Sequence, residues 1–185
     1  KKEGYDTILS FGGAFSNHLH ALSYACEQYG FKSIGVIRGG PYKNINSTLA
    51  FCKQHNMELH YMDYASYRCF KNVDNKISKL KEKFGYVYCL PEGGSNILGL
   101  KGCEEILSEV DFDAHYICSP VGTGCTAAGL INSMTKDQFF LGFCPFNKAH
   151  EQEENIERFS SKQKRNVHWS MITDSKFGGF GKINS

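Results

Sequence analysis

Two short stretches of this chain join chemically capable residue types to a backbone that can present them. The first is Ser10–His20 (SFGGAFSNHLH), where an apolar run ends at two glycines and Ser16, Asn17 and His18 follow. A hydroxyl, an amide and an imidazole thus fall at one strand-to-helix turn. Backbone N–H groups at a helix start have no intrahelical partner and sit at the positive end of the helix dipole, so an anionic ligand group is favoured there. The plainer reading makes Ser16 and Asn17 helix caps. His18 and His20, two apart, lie on different faces of a helix and do not form a metal pair.

The second stretch is Gly122-Thr123-Gly124-Cys125-Thr126. Successive amides of a glycine-rich turn at a helix start form a concave nest that suits a phosphate, and Thr123 and Thr126 add hydroxyl donors. It is not a Walker A loop, because no Gly-Lys-Ser/Thr follows. The spacing Gly122-x-Gly124-x-x-Ala127 also fits the dinucleotide fingerprint, so an NAD(P)-binding Rossmann-type domain stands as a rival. That rival wants an acid after the next strand, where Asn147-Lys148 stand and the nearest acid is Glu151. A loop that only lets a helix pack tightly on a strand is the third reading.

The elements that must position these turns alternate. Asp6–Phe11 reads as a buried strand, Gly12-Gly13 as a turn free to take positive φ, and Ala14–Tyr29 as a helix stopped by Gly30. Strand Lys32–Ile37, helix Ser47–His55, strand Glu58–Met62, helix Lys71–Phe84 and strand Tyr86–Leu90 follow. The pattern restarts at the glycine turn Pro91–Asn96, with helix Leu100–Val110, strand His115–Cys118, helix Ala127–Met134, strand Phe139–Phe146, helix His150–Ser160 and strand Val167–Thr173. Asp174–Lys182 is a last glycine-rich turn. Alternation predicts an α/β fold with mostly parallel sheets, helices on both faces, and ligands at the carboxyl ends of strands. We expect two domains, 1–90 with the Ser-Asn-His turn and 91–185 with the glycine loop, a phosphate-bearing cofactor lying between them.

Composition narrows the classes. A formal net charge of +2 spread over 185 residues gives no case for nucleic acid or an acidic membrane surface. The lysine-rich segment Lys71–Phe84 reads as a solvated helix face. No apolar run approaches the roughly 18 residues that span a bilayer. Eight cysteines without a CxxC pair, mostly inside apolar segments, read as free thiols in a reducing, cytoplasmic setting. No metal site is expected. The chain opens on Lys1-Lys2 without Met, so its natural start is expected upstream.

Taken together, Phe11–His18, Gly35–Gly39, Pro91–Asn96, Leu100-Lys101-Gly102 and Pro120–Gly124 resemble, in the same order, the 1-aminocyclopropane-1-carboxylate deaminase / D-cysteine desulfhydrase family. These are pyridoxal-phosphate enzymes of fold type II, the tryptophan synthase β-subunit group. The resemblance implies two three-layer αβα domains, here incomplete at both ends, and a homodimer. It implies that Asn17 bonds the ring hydroxyl of pyridoxal 5'-phosphate and that Gly122, Thr123, Gly124, Cys125 and Thr126 bind its phosphate. Cys125 stands where a glycine is usual, and its N–H survives that change. Ser16, Asn17 and His18 are implied in substrate binding, Ser16 with His18 and nearby N–H groups holding the substrate carboxylate, and Ser16 is the implied catalytic residue. The family's Schiff-base lysine, in a Gly-Asn-Lys motif upstream, is not in this chain, so the chain alone is expected to be inactive. His18, where deaminases tend to carry Gln, and Phe180, where they tend to carry Tyr, favour elimination from D-cysteine over ring opening. Ring-opening deamination and a catalytically inactive binding homologue remain as alternatives.

Overall fold

The computed structural model describes residues 3–70, 77–108, 114–145, 149–160 and 167–174. The first part of the expected helix Lys71–Phe84, the end of Leu100–Val110, Asn147-Lys148 and the turn Gly178–Gly181 lie outside these described residues. The chain divides into two compact units, Lys1–Gly94 and Ser95–Ser185.

The first unit is built on a four-stranded sheet of β1 (Thr7–Gly12), β2 (Lys32–Arg38), β3 (Met57–Met62) and β4 (Tyr88–Cys89), in the order β3-β2-β1-β4. Every pairing of these strands is parallel. Parallel strands need helical crossovers and are buried on both faces, and the run Ser33–Ile37 is correspondingly buried throughout. Leu9, Phe11, Ile34 and Val36 point to one face, where Tyr67 of α3 (Tyr64–Phe70) and Leu80 of α4 (Ile77–Phe84) complete a core. The opposite face packs Ile37 and Met57 against Leu19, Leu22 and Cys26 of α1 (Asn17–Gln28) and Leu49 and Cys52 of α2 (Ser47–Gln54).

Three local readings are corrected here. Helix α1 begins at Asn17 rather than at Ala14, because Ser16 takes an extended backbone and caps the helix with its side chain. Neither Gly12 nor Gly13 adopts positive φ. Gly12 is needed for space instead: a β-carbon there would lie 2.6 Å from Ser16 Oγ and 2.8 Å from Leu19 Cδ1, so only glycine lets α1 settle on β1. Helix α3 has no counterpart in the sequence pattern, and the strand expected over Tyr86–Leu90 shrinks to Tyr88–Cys89. The 3₁₀ turn Glu92–Gly94 belongs with this unit, since Tyr67 OH donates to Glu92 Oε1 at 2.8 Å.

The second unit carries a parallel sheet of β5 (Tyr116–Pro120), β6 (Phe139–Phe143) and β7 (His168–Ile172), in that order. Ile117, Phe140 and Val121 meet Leu130 and Ile131 of α6 (Cys125–Ser133), Met134 just after it, and Ile156 of α7 (His150–Phe159). Helix α5 (Ile97–Glu104) starts three residues earlier than its apolar pattern predicts, because Asn96 caps it by accepting from Gly99 N at 2.8 Å. It lies tightly on α6 because position 129 is glycine: a β-carbon there would collide with Cys103 Cβ. Among the described residues no helix is long and apolar enough to cross a membrane. No cluster of three His, Cys, Asp or Glu side chains suited to a metal ion occurs among them.

Candidate functional site

In the first unit the turn after β1 is fixed at both ends. Ser16 N donates to Gly13 O at 3.1 Å, and Ser16 Oγ accepts from Leu19 N at 3.2 Å. The capping reading of Ser16 therefore holds, and its hydroxyl still has its own hydrogen to donate. Asn17, the first helical residue, is exposed and makes no cap. Asn46 ties a second element to the turn, donating through Nδ2 to Ala14 O at 2.9 Å while its Oδ1 caps α2 at Leu49 N.

His18 is turned inward. Its Nε2 lies 2.8 Å from Oγ of Ser10, a fully buried residue of β1 on the face that meets α1. Ser10 Oγ also donates to Leu90 O at 3.1 Å, so its one hydrogen is in use, and the network assigns the proton of the shared bond to His18 Nε2. Burial pushes the imidazole pKa down to about 4, which makes His18 a neutral group at pH 7. Its Nδ1 side faces Gly94, where a β-carbon would come within 3.3 Å.

Residues that sequence reasoning passed over complete this end of the sheet. Arg38, the last residue of β2, places Nη2 3.4 Å from the position a β-carbon on Gly13 would occupy. Its guanidinium carbon lies 5.6 Å from the Tyr67 ring centroid. Ser10 had a legible signal, a hydroxyl inside an otherwise apolar strand; the alignment of Arg38 beside Gly13 needs the parallel register of β1 and β2, which no local pattern carries.

In the second unit the glycine loop joins β5 to α6. Val121 N donates to Phe143 O at 2.9 Å, which anchors the loop on β6. Gly122 is exposed, with nothing within 4 Å of a β-carbon built on it. Ser95 Oγ donates to Thr123 Oγ1 at 2.6 Å, so the Thr123 hydroxyl keeps its own hydrogen free to donate. Gly124 is the N-cap of α6 with a left-handed φ of 92°, and no side chain caps the helix. The first-turn amides of α6 thus remain available to an anion, the arrangement a phosphate nest requires. Cys125 is buried, its thiol 3.9 Å from Asn96 O, and Thr126 is exposed, its Oγ1 3.7 Å from Cys103 Sγ. The loop residues Gly122–Thr126 are contiguous in this unit and Ser16–His18 in the other.

No family model matches the chain. A protein of Thermotoga maritima named "Putative 1-aminocyclopropane-1-carboxylate deaminase" is 31% identical over 172 residues, which are 89% of this chain and 53% of the relative. A crystal structure described as an ACC deaminase homologue superposes with a TM-score of 0.74 at 22% identity, covering 98% of this chain and 59% of that one. The processed form of threonine deaminase isoform 2 from Solanum lycopersicum gives a TM-score of 0.59 at 16% identity, over 96% of this chain and 46% of its own. The chain spans about half the length of the relatives it matches. With the parallel α/β units and the ordered motifs above, these likenesses support the resemblance to the 1-aminocyclopropane-1-carboxylate deaminase-like family and show the fold of the type II pyridoxal-phosphate enzymes.

Proposed function

We propose that the loop Gly122–Thr126 holds the phosphate of pyridoxal 5'-phosphate in an enzyme that eliminates the β-substituent of a small D-amino acid, with D-cysteine the favoured substrate. The observation that carries this reading is the uncapped start of α6: left-handed Gly124, open space over Gly122 and a Thr123 hydroxyl with a hydrogen to donate. The residues present fit a phosphate dianion, since they offer donors and no carboxylate. When bound, pyridoxal phosphate supplies an electron sink for breaking a bond at the amino-acid Cα.

The chain's own residues then have separable tasks. Asn17, exposed on the first turn of α1, presents an amide to the cofactor's ring hydroxyl. Ser16 keeps a hydroxyl hydrogen for a substrate carboxylate, and the positive end of the α1 dipole favours that anion. His18 contributes as a neutral, oriented imidazole with an acceptor at Nδ1, so the positive charge for a carboxylate comes from the helix end. His18 in place of the glutamine frequent among deaminases supports elimination of hydrogen sulfide. The name of the Thermotoga maritima relative favours ring-opening deamination as the second reading.

The test is product analysis with the full-length enzyme loaded with cofactor. Sulfide and pyruvate from D-cysteine are expected. Formation of 2-oxobutyrate from 1-aminocyclopropane-1-carboxylate, with no sulfide from D-cysteine, overturns the substrate assignment. Equal affinity for pyridoxal and pyridoxal phosphate overturns the role of the loop.

A further inference from the structure

We propose that Cys103 and Cys125 form an oxidisable dithiol, at which a peroxide joins α5 to the first turn of α6 through a disulfide. Cys103 is the penultimate residue of α5 and Cys125 the first of α6. Cys103 Sγ reaches Thr126 Oγ1, on the residue next to Cys125, at 3.7 Å, and each thiol shifts the other's titration. Gly129 lies one helical turn beyond Cys125 on the same face of α6, and Cys103 Cβ occupies the space a side chain there would fill. The bare position at Gly129 thus lets the Cys103 side chain lie directly on the face of α6 that carries Cys125.

The two sulfurs are unequal in the way a peroxide reaction needs. Cys125 is 2% exposed, whereas Cys103 is only half-buried. The neighbouring Cys125 thiol holds the Cys103 pKa below the usual thiol range, with help from Thr126 and against burial and the Glu104 carboxylate. The Cys125 thiol is pushed up by Cys103 in turn and by burial. Glu104 is itself engaged, accepting from Asn132 Nδ2 of α6 at 2.7 Å. Cys103 is thus the thiolate nucleophile and Cys125 the resolving thiol.

The chemistry balances with hydrogen peroxide as oxidant. The Cys103 thiolate attacks one peroxide oxygen, the O–O bond breaks, and hydroxide leaves to become water, giving Cys103 sulfenic acid. Cys125 sulfur attacks that sulfur, the S–S bond forms, and the sulfenic oxygen leaves as water with the Cys125 proton. Two thiols lose two electrons and the peroxide becomes two waters.

The experiment uses the full chain with the exposed Cys69 and Cys118 replaced by serine, treated with hydrogen peroxide, alkylated and mapped without reduction. A Cys103–Cys125 linked peptide that dithiothreitol abolishes is expected. In the C125S variant dimedone should label Cys103, and in C103S it should leave Cys125 unlabelled. No linked peptide while both cysteines still alkylate, or linkage of either one to a different cysteine, overturns the proposal. Since Cys125 opens the helix of the phosphate loop, the linked form is also expected to take up pyridoxal phosphate at least tenfold more weakly. That consequence rests on the proposed function, and it is scored separately: failure of the reduced protein to bind pyridoxal phosphate refutes that function and leaves the dithiol to peptide mapping.

Discussion

Lowering the pH tests the buried contact between His18 and Ser10. An imidazole with an ordinary pKa of 6.5 in the unfolded chain and about 4 in the folded one binds more protons when unfolded throughout the interval between those values. The folded state therefore keeps the full benefit of a neutral His18 above about pH 6.5 and loses it progressively as the pH falls towards 4. The whole change amounts to up to about 3 kcal/mol, of which about 1 kcal/mol is gone by pH 5.5. Urea unfolding of the chain and of His18→Gln across this range isolates the effect, because glutamine does not titrate. Asp6, held low chiefly by its hydrogen bond from Thr7, and Asp63, held low chiefly by Ser66, titrate in both proteins and cancel in the difference. The expected difference narrows as pH falls. A second readout, the imidazole Cε1 resonance, follows His18 in the unmutated chain. A His18 that titrates at or above 6.5, or a stability difference that does not change with pH, would refute the assignment of a buried neutral imidazole.

The glycine loop offers a paired test. Gly124→Ala places a β-carbon 3.0 Å from Gln152 O at a left-handed φ, and should lower unfolding free energy by about 1–3 kcal/mol in urea titrations. Gly122→Ala meets open space and should leave stability within about 0.5 kcal/mol while weakening pyridoxal-phosphate binding, measured by absorbance titration. Ser16→Ala removes the cap on Leu19 N and should cost about 1 kcal/mol, whereas Ser16→Asn should keep most of that stability and still lose turnover.

The order of strands and helices was legible because apolar runs of strand length alternate with helical spacings, and that alternation alone implies a parallel sheet. What local pattern misled was the ends of elements. Ala14 and Phe15 have helical propensity, yet the bond from Ser16 N to Gly13 O closes a turn there and delays α1. Ile97 and Leu98 open α5 although both are exposed, because the cap at Asn96 decides the start and the apolar pattern does not. Helix α3 was invisible because, of Tyr64–Cys69, Tyr67 alone is buried, too little to mark a period. In the candidate site, turns contiguous in sequence could be read off directly and pairs brought together by register or helix packing could not: Ser10 with His18, Arg38 with Gly13.

On the proposed function, the two helix starts that drew attention in the sequence serve different anions. At α1 a side chain of the chain itself, Ser16, already satisfies Leu19 N, and the group beside it, His18, is neutral and committed to Ser10. That end retains a partial positive charge and few donors, which under the proposed function suits a singly charged substrate carboxylate. At α6 the cap is a glycine with no side chain to offer, and the hydroxyl of Thr123 is oriented by Ser95. Under the proposed function, that end keeps its donors for a doubly charged phosphate. An anion bound at α6 replaces the missing cap, so phosphate occupancy should stabilise the second unit itself. Occupancy of the α1 end, where the cap is already made, should change the stability of the first unit far less.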